Sequence, residues 1–223
     1  MIQEEVNVKE ISKESILSKY IYLFIKRLFD IFCSLLGIIL MLPISIIIKL
    51  SYILTGDFHS IFYKQQRIGK NGKIIGIYKF RSMVYNADEL LKEVIKKEPY
   101  KTEWKKNHKL ENDPRITKVG KIIRKTSIDE LPQFINVLFN EMSLIGPRPL
   151  VKGELDQHGG DHELYESIKP GITGWWACNG RSALTYDERL ELEYYYINNR
   201  SLLLDIKCIF LTISIVINRH GVK

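Results

Sequence analysis

Residues 31–48 read IFCSLLGIILMLPISIII, a run of eighteen residues without a charged side chain. A straight helix of that length measures about 27 Å, which is enough to cross the hydrocarbon core of a bilayer. Pro43 lies within the run, and a proline in a helix interior removes one backbone hydrogen bond and bends the helix. Lys26 and Arg27 precede the run and Lys49 follows it, so the positive-inside rule assigns both ends to the cytoplasmic side.

We therefore predict a re-entrant helix over residues 22–55 that enters the membrane, breaks at Pro43 and leaves on the side from which it came. A single transmembrane span and a buried helix of a soluble protein are the alternatives. Residues 1–21 are expected to form a polar, helical lead-in, because their charges are mixed and do not follow the pattern of a secretory signal. Residues 56–223 are expected to form one domain at the cytoplasmic face of the membrane.

Composition places the chain among folded proteins and shows one uneven feature. Apolar residues make up 45% of the 223 residues and charged residues 26%, which excludes disorder, collagen and a long coiled coil. Cys33, Cys178 and Cys208 are too few and too scattered for a disulfide framework or a cysteine metal site. The net charge is +7, and residues 96–125 carry the imbalance with eleven Lys or Arg and four Asp or Glu. This basic stretch suits phosphate, nucleic acid or anionic lipid, or is a solvated helical face.

A β-hairpin is expected directly after the apolar helix. Residues 61–67 and 73–80 have strand composition, and Asn71-Gly72 between them is a strong hairpin-turn signal. Lys79 and Arg81 fall on one face at the end of the second strand. Two cations there suit a phosphate, and they equally suit an exposed edge strand that lysine protects from aggregation. Polar helices are expected over residues 86–97 and 101–111.

Adjacent carboxylates occur in Ser127-Ile128-Asp129-Glu130. Ser127 and Glu130 fit a capping box, whereas Pro132 favours a helix from about Pro132 to Phe139. Both signals place Asp129 and Glu130 at the positive end of a helix, where the dipole should keep Asp129 ionised. Helix capping alone also explains two acids at this position.

Two further loops carry arginine beside glycine or proline. Gly146-Pro147-Arg148-Pro149 fixes the backbone on both sides of one guanidinium, as bidentate phosphate binding requires. Residues 169–174 read as a turn-rich loop that leads to two tryptophans and then to Arg181. Arginine and tryptophan on a loop suit an anion with a stacked ring, or an interfacial belt at a membrane.

The C-terminal part predicts two helices. Thr185 and Glu188 form a second capping-box pattern that opens a helix to about Asn198. Residues 208–217 are apolar but too short to span a bilayer, so they lie in the membrane interface or pack in the core.

Taken together, these motifs resemble the bacterial sugar transferase family, the monotopic polyprenyl-phosphate phosphoglycosyl transferases. The resemblance covers about residues 22–222. It implies an α+β fold, a mostly helical membrane-associated domain with a small β-hairpin, a re-entrant helix and interfacial amphipathic helices. The motifs that carry it are KRLFD (26–30), IYKFRSM (77–83), DPRITKVGKIIRKTSIDELPQ (113–133), MSLIGPRP (142–149), KPGITGW (169–175) and NGR (179–181).

The resemblance also implies a reaction: a phospho-sugar passes from a UDP-sugar to undecaprenyl phosphate, UMP leaves, and Mg²⁺ is required. Asp129 is then the nucleophile that forms a covalent intermediate. Asp129 and Glu130 are the candidate metal ligands, and Glu130 is alternatively a base. The cations expected to bind substrate phosphate are Lys79, Arg81, Arg124, Arg148 and Arg181. The residues expected at the membrane and its lipid phosphates are Lys26, Arg27, Asp30 and Pro43. Nucleic acid is not expected as a partner because no such motif accompanies the basic stretch, whereas a homodimer is compatible with the pattern.

Two departures and two alternatives remain. Leu42 precedes Pro43 where the family commonly has serine, and Ala177 stands where glutamine is usual, so the sugar is not identified. A glycosyltransferase that passes only the sugar and releases UDP is one alternative, although the chain has no Asp-x-Asp metal motif. A non-catalytic module that binds a membrane surface through residues 96–125 is the other.

Overall fold

The computed structural model describes residues 2–107, 110–180 and 183–218. Most of these residues are helical, with two small sheets of two strands each. The helices are α1 (Ile2–Leu54), α2 (Ala87–Val94), α3 (Tyr100–Asn107), α4 (Lys118–Lys125), α5 (Gln133–Leu138), α6 (His162–Tyr165), α7 (Trp175–Cys178), α8 (Tyr186–Asn199) and α9 (Leu202–Asn218). The strands are β1 (Phe62–Ile68), β2 (Ile74–Phe80), β3 (Ser143–Ile145) and β4 (Gly171–Thr173).

The apolar run forms part of α1, and its segment Leu17–Leu54 is long and apolar enough to cross a membrane. Only 22% of its most apolar window is buried, so most of those side chains have no protein packed against them in the described structure. The helix continues through Pro43, so the expected break is not seen; the fixed φ of proline is compatible with helix, and one missing N–H does not end it. Ser45 Oγ donates to the carbonyl oxygen of Met41 at 2.9 Å, which adds a hydrogen bond in this turn. The re-entrant course stays a prediction.

The predicted β-hairpin is confirmed. β1 and β2 form an antiparallel pair within one residue of the expected bounds. Asn71 and Gly72 in the connecting turn have φ values of 56° and 71°, the left-handed conformation that asparagine and glycine tolerate best.

The described chain divides into two compact units. The first unit comprises the described parts of residues 1–37, 66–77 and 133–223, and the second comprises residues 38–65 and those of 78–132. Each unit draws on separate stretches of the chain, so each depends on contacts between residues distant in sequence.

In the first unit, β3 and β4 form a parallel pair in which Ser143 lies opposite Gly171. The expectation of a loop over residues 169–174 is therefore wrong for Gly171–Thr173, which form β4. The two segments can approach because β4 begins with a glycine and another glycine follows β3: a Cβ on Gly171 would lie 2.1 Å from the backbone nitrogen of Gly146. This pairing holds the segment 146–149 against the start of β4.

The two C-terminal helices also belong to the first unit. The capping box predicted for α8 is confirmed, because the Thr185 side chain accepts from the Glu188 backbone and the Glu188 side chain accepts in return. One face of α9 packs, with Cys208 fully buried beside Ile145, whereas Leu203 and Phe210 are exposed. The helix therefore combines the two alternatives, a packed face and an unpacked apolar face.

In the second unit, α2 and α3 are shorter than predicted, and α4 packs closely on the segment that follows β2. Thr117 caps α4 by accepting from Gly120 N–H at 2.8 Å. Gly120 lies so close to the Ser82 backbone that a Cβ would be 1.8 Å from the Ser82 carbonyl oxygen. This contact fixes α4 and the turn after it relative to the end of β2.

Candidate functional site

Asp129 and Glu130 lie in a single 3₁₀ turn, Ile128–Glu130, between α4 and α5. The capping box predicted at Ser127 is wrong: Ser127 adopts φ 55° and its side chain makes no capping hydrogen bond. An N-cap residue needs an extended backbone, so the left-handed Ser127 cannot serve as one. The 3₁₀ turn that follows the left-handed Ser127 instead presents the two adjacent carboxylates just before α5 begins.

Lys79 and Arg124, both in the second unit, are cations that lower the pKa of the Asp129 carboxyl. Burial raises the pKa of the Asp129 carboxyl above its ordinary value, and the neighbouring Glu130 raises it further, while Lys79 and Arg124 lower it. The helix expected at Asp129 starts only at Gln133, four residues later, and burial and Glu130 raise the Asp129 pKa. That Asp129 is ionised at neutral pH stays a prediction. Lys79 Nζ lies 3.8 Å from Glu130 Oε1.

Arg124, in the last turn of α4, is fixed by one hydrogen bond. Its Nε donates to Ser82 Oγ at 2.8 Å. No other hydrogen-bond partner of its guanidinium is found in the part of the chain that the structure describes. The two Nη groups are therefore the donors in this turn that are best suited to an anionic ligand.

Arg81 has a different environment. Its side chain is 7% exposed and makes a 2.9 Å ion pair with Asp57. Nε donates to the Ser60 carbonyl oxygen at 2.8 Å and Nη1 to that of Met83 at 2.9 Å, and the group lies over the Tyr52 ring. Only Nη2 is buried without a hydrogen-bond partner among the described residues. Arg81 is thus largely engaged in holding the end of β2, and phosphate binding by it stays a prediction.

Arg148 belongs to the first unit. Its backbone N–H donates to Glu193 Oε1 at 2.8 Å, and its guanidinium lies 5.6 Å from the Trp176 ring centre. Its Nε is buried without a hydrogen-bond partner in the described structure, and the side chain lines a cavity of about 250 Å³. Arg181 lies outside the described residues.

The KRLFD segment makes contacts inside the first unit. Lys26 Nζ forms a 2.8 Å ion pair with Asp205, and the two Nη groups of Arg27 donate to the carbonyl oxygens of Val137 and Leu138 at the end of α5. Asp30 is buried and accepts from Ser143 Oγ at 3.1 Å and from Leu144 N–H at 2.9 Å. Arg27 and Asp30 thus have partners on other elements, and the segment fastens α1 to α5, β3 and α9.

Sequence reasoning missed two buried carboxylates. Glu193 is 1% exposed and accepts from the Arg148 N–H and from Tyr165 Oη, while Asp205 joins Lys26 to Tyr196. The spacing of Arg189 and Glu193, four residues apart on α8, was the available signal for the first. Asp205 carried no local signal, because its partners are distant in the chain.

The donor set at Asp129 and Glu130 fits a magnesium ion that also binds substrate phosphate. No group of three or more His, Cys, Asp or Glu suited to a metal occurs among the described residues. Mg²⁺ commonly uses one or two protein carboxylates together with phosphate oxygens and water. The repulsion between Asp129 and Glu130, visible in the raised Asp129 pKa, is what a divalent cation would relieve.

Comparison with known proteins points to one family. The sequence model of the family described as bacterial sugar transferase matches residues 21–219. The undecaprenyl-phosphate galactose phosphotransferase of Salmonella typhimurium is 47% identical over 199 residues, covering 89% of this chain and 41% of that protein. The UDP-galactose-lipid carrier transferase of Erwinia amylovora is 41% identical over 222 residues, covering 99% of this chain and 46% of that protein.

A shorter relative matches along most of its length. The exopolysaccharide production protein ExoY of Sinorhizobium fredii is 40% identical over 197 residues, which are 88% of this chain and 87% of that protein. The chain therefore spans less than half the length of the first two relatives and most of the third.

Proposed function

Because the chain belongs to the bacterial sugar transferase family, we propose that it transfers a phospho-sugar from a UDP-sugar to undecaprenyl phosphate and releases UMP. The observation that carries the proposal is the turn at Asp129: a half-buried carboxylate with Glu130 beside it and Lys79 and Arg124 near enough to lower its pKa. The names of the relatives, an undecaprenyl-phosphate galactose phosphotransferase and a UDP-galactose-lipid carrier transferase, support the two substrate classes.

In the first step, Asp129 is the nucleophile. One carboxylate oxygen forms a bond to the phosphorus that carries the sugar, and the bond from that phosphorus to the oxygen bridging the two phosphates breaks. The electron pair leaves with UMP, and the product on the protein is an acyl phosphate linked to the sugar. No proton is needed, because the UMP phosphate is a stable anion at neutral pH.

Cations allow this step, since one anion must approach another. Lys79 and Arg124 lie near Asp129 within the second unit. There they offset the negative charge of the donor diphosphate and of the departing UMP. Arg124 is suited to bidentate contact because Ser82 fixes its Nε and its Nη groups have no other recorded partner within the described chain.

Asp129 and Glu130 are the residues that would hold Mg²⁺, which when bound supplies further positive charge to the diphosphate. In the second step, a phosphate oxygen of undecaprenyl phosphate attacks the same phosphorus. The bond to Asp129 breaks, the carboxylate is restored, and the lipid diphosphate sugar leaves. Glu130, next to Asp129 in the chain, would accept a proton from an acceptor phosphate that arrives protonated.

A lipid acceptor explains why α1 belongs to the same molecule. Its apolar side chains are mostly exposed, and a phosphate at the head-group level of the membrane requires a site at that level. We place the protein at the cytoplasmic face of the inner membrane, monotopic, with α1 re-entrant.

The identity of the released nucleotide tests the proposal. The purified full chain is incubated with Mg²⁺, undecaprenyl phosphate and a UDP-sugar labelled in the sugar-linked phosphate. We expect UMP as the nucleotide product and the label in the lipid fraction. UDP as the product would identify a transferase that passes only the sugar, and no turnover with any UDP-sugar would favour a binding module.

Variants make the test specific. Asp129→Asn should lower turnover by at least about 10³-fold, since the nucleophile is removed. Asp88→Asn, a change of the same kind at an exposed residue of α2, should leave turnover unchanged. Equal activity of the two variants would overturn the assignment of Asp129.

A further inference from the structure

A second basic cavity lies wholly within the first unit and contains neither Asp129 nor Glu130. Its volume is about 520 Å³. One wall is the side of α1 that carries Lys19, Leu23 and Lys26, and the remaining walls come from four other segments. The charged residues that line it are Lys19, Lys26, Arg27, Asp30, Lys70, Lys169 and Arg200.

The cavity therefore holds six cations and one carboxylate, and that carboxylate is already used. Asp30 accepts hydrogen bonds from Ser143 Oγ and Leu144 N–H. Of the six cations, Lys26 alone has a carboxylate within ion-pair distance in the described structure, and its partner is Asp205. Positive charge gathered around one space without matching anions is costly unless an anion enters.

The crowding of cations is visible at Lys169. Burial lowers the pKa of its ammonium group, and the neighbouring Arg27, Lys70 and Lys26 lower it further, against a smaller opposing effect of Asp30. The Lys169 ammonium donates to the Asn140 side chain. Neutral hydrogen-bond partners of this kind do not cancel the positive charge.

The surroundings of the cavity are apolar on the α1 side. Leu23 lines the cavity and is 42% exposed, and Tyr20 and Phe24 beside it are 68% and 65% exposed. These three residues belong to the helix segment that is apolar enough to enter a bilayer. The cavity therefore joins a cationic space to an exposed apolar helix surface, which is the arrangement that a phosphate head group with attached acyl chains would match.

We propose that this cavity binds the phosphate head group of an anionic membrane phospholipid, whose acyl chains lie along the exposed surface of α1 at Tyr20 and Phe24. The phosphate contacts come from Lys19, Lys70 and Lys169. The bound lipid would hold the helix at a fixed depth, with KRLFD at the head-group level. This site does not depend on the role assigned to Asp129.

Lys19 and Lys70 allow a test that spares the fold, because both are exposed and neither side chain forms a hydrogen bond or an ion pair with the described residues. The full chain is purified in detergent and titrated with phosphatidylglycerol, and the first bound lipid is measured by native mass spectrometry. The double variant Lys19→Gln/Lys70→Gln should bind it at least roughly tenfold more weakly, given about 1 kcal/mol for each cation near a lipid phosphate. The matched control is Lys73→Gln/Lys152→Gln, two exposed lysines of the same unit.

The possible outcomes distinguish a lipid phosphate from free inorganic phosphate. Loss of the tight phosphatidylglycerol site in the first double variant alone, with no competition by inorganic phosphate, supports the proposal. Equal loss in both double variants, or in neither, overturns it. Displacement of the lipid by inorganic phosphate, or a site selective for undecaprenyl phosphate over phosphatidylglycerol, would also overturn it. Asp129→Asn should bind phosphatidylglycerol like the unchanged chain, so failure of the proposed reaction would not be mistaken for failure of this site.

Discussion

Asp129 combines two requirements that oppose each other. A nucleophilic carboxylate must be ionised, yet its burial and the adjacent Glu130 both raise its pKa. Lys79 and Arg124 act in the opposite direction and lower that pKa. At the residue scale, we therefore propose that these two cations favour the ionised nucleophile in addition to binding phosphate.

Arg124→Gln tests this account. Without the guanidinium, the pKa of Asp129 should rise further, so the acidic limb of the pH–rate profile should move to higher pH. Turnover at neutral pH should also fall, by about 10²-fold if Arg124 contacts the reacting phosphate. Lys121→Gln removes an equivalent charge from an exposed position of the same helix and should leave the acidic limb in place. An Arg124→Gln profile that is lower but not shifted would contradict the role of Arg124 at Asp129.

Glu193 gives a prediction about stability. Burial raises its pKa to about 7 from an ordinary 4.5, with hydrogen bonds from Tyr165 and the Arg148 N–H opposing the shift. Because the folded state holds the proton more tightly, its stabilising contribution is complete below about pH 4.5 and is lost as pH rises towards 7. The Glu193→Gln protein does not lose this contribution as the pH rises. Its free energy of unfolding, relative to that of the unchanged chain, should therefore rise by up to about 3 kcal/mol over that range.

Chemical denaturation at several pH values between 4.5 and 7 measures the effect. The exposed neighbour Glu191→Gln serves as the control and should show a constant difference. If the stability difference between Glu193→Gln and the unchanged chain stays constant or falls with pH, burial does not raise the pKa of this carboxyl.

The sequence alone identified candidate site residues better than it identified the residues that they contact. Asp129, Lys79 and Arg124 were all named, and the structure brings these three into one unit. Their charges could be read from the chain, but the burial that raises the Asp129 pKa could not. The same limit applies to Arg81, whose main partner, Asp57, lies twenty-four residues earlier and before the hairpin.

At the scale of elements, α4 and the end of β2 form the support of the Asp129 turn. Gly120 allows the two to touch, Thr117 caps the helix, and Tyr52 Oη donates to the Arg81 carbonyl oxygen at 2.6 Å. Any side chain at position 120 would push the helix away from Ser82.

Gly120→Ala tests that support. The added Cβ would lie 1.8 Å from the Ser82 carbonyl oxygen, so backbone must move, and we expect a loss of about 1–3 kcal/mol in the free energy of unfolding. Arg124 would lose its alignment with Ser82, so turnover should fall as well. Thermal unfolding with Lys121→Ala as the exposed control measures the first effect. A Gly120→Ala protein as stable and as active as the control would contradict this packing.

Local signals predicted the elements whose cause is local. The β1–β2 hairpin follows from Asn71-Gly72, and α8 follows from Thr185 and Glu188. The β3–β4 pair was missed because its strands are three residues long and meet through glycines distant in the chain. The capping box at Ser127 failed because Ser127 adopts a left-handed backbone before a 3₁₀ turn rather than the extended backbone of an N-cap residue.

At the scale of the whole molecule, α1 is the feature that suggests membrane association. Its apolar surface is exposed, and it continues through Pro43 to Leu54. The basic residues at both ends predicted a return to the cytoplasmic side, which composition can indicate but periodicity cannot. A single sequence carries no signal that shows how the separate stretches of each unit assemble.

Cysteine labelling tests the re-entrant course. In a chain without its three native cysteines, Leu17→Cys and Thr55→Cys are made separately, and cells are treated with a membrane-impermeant maleimide. Both should react only after the inner membrane is permeabilised, as should the control Lys152→Cys. Labelling of Thr55→Cys in intact spheroplasts, with Leu17→Cys protected, would identify a full span instead.

The most direct test of the account is the site of covalent attachment. The full chain is incubated with Mg²⁺ and a UDP-sugar in the absence of lipid acceptor, quenched in acid and digested for peptide mass spectrometry. We predict a phospho-sugar on Asp129 in the peptide that contains the turn Ile128–Glu130, and its release when undecaprenyl phosphate is added before the quench. A phospho-sugar found on another residue, or UMP formed with no adduct and only when acceptor is present, would contradict the claim that Asp129 is the nucleophile.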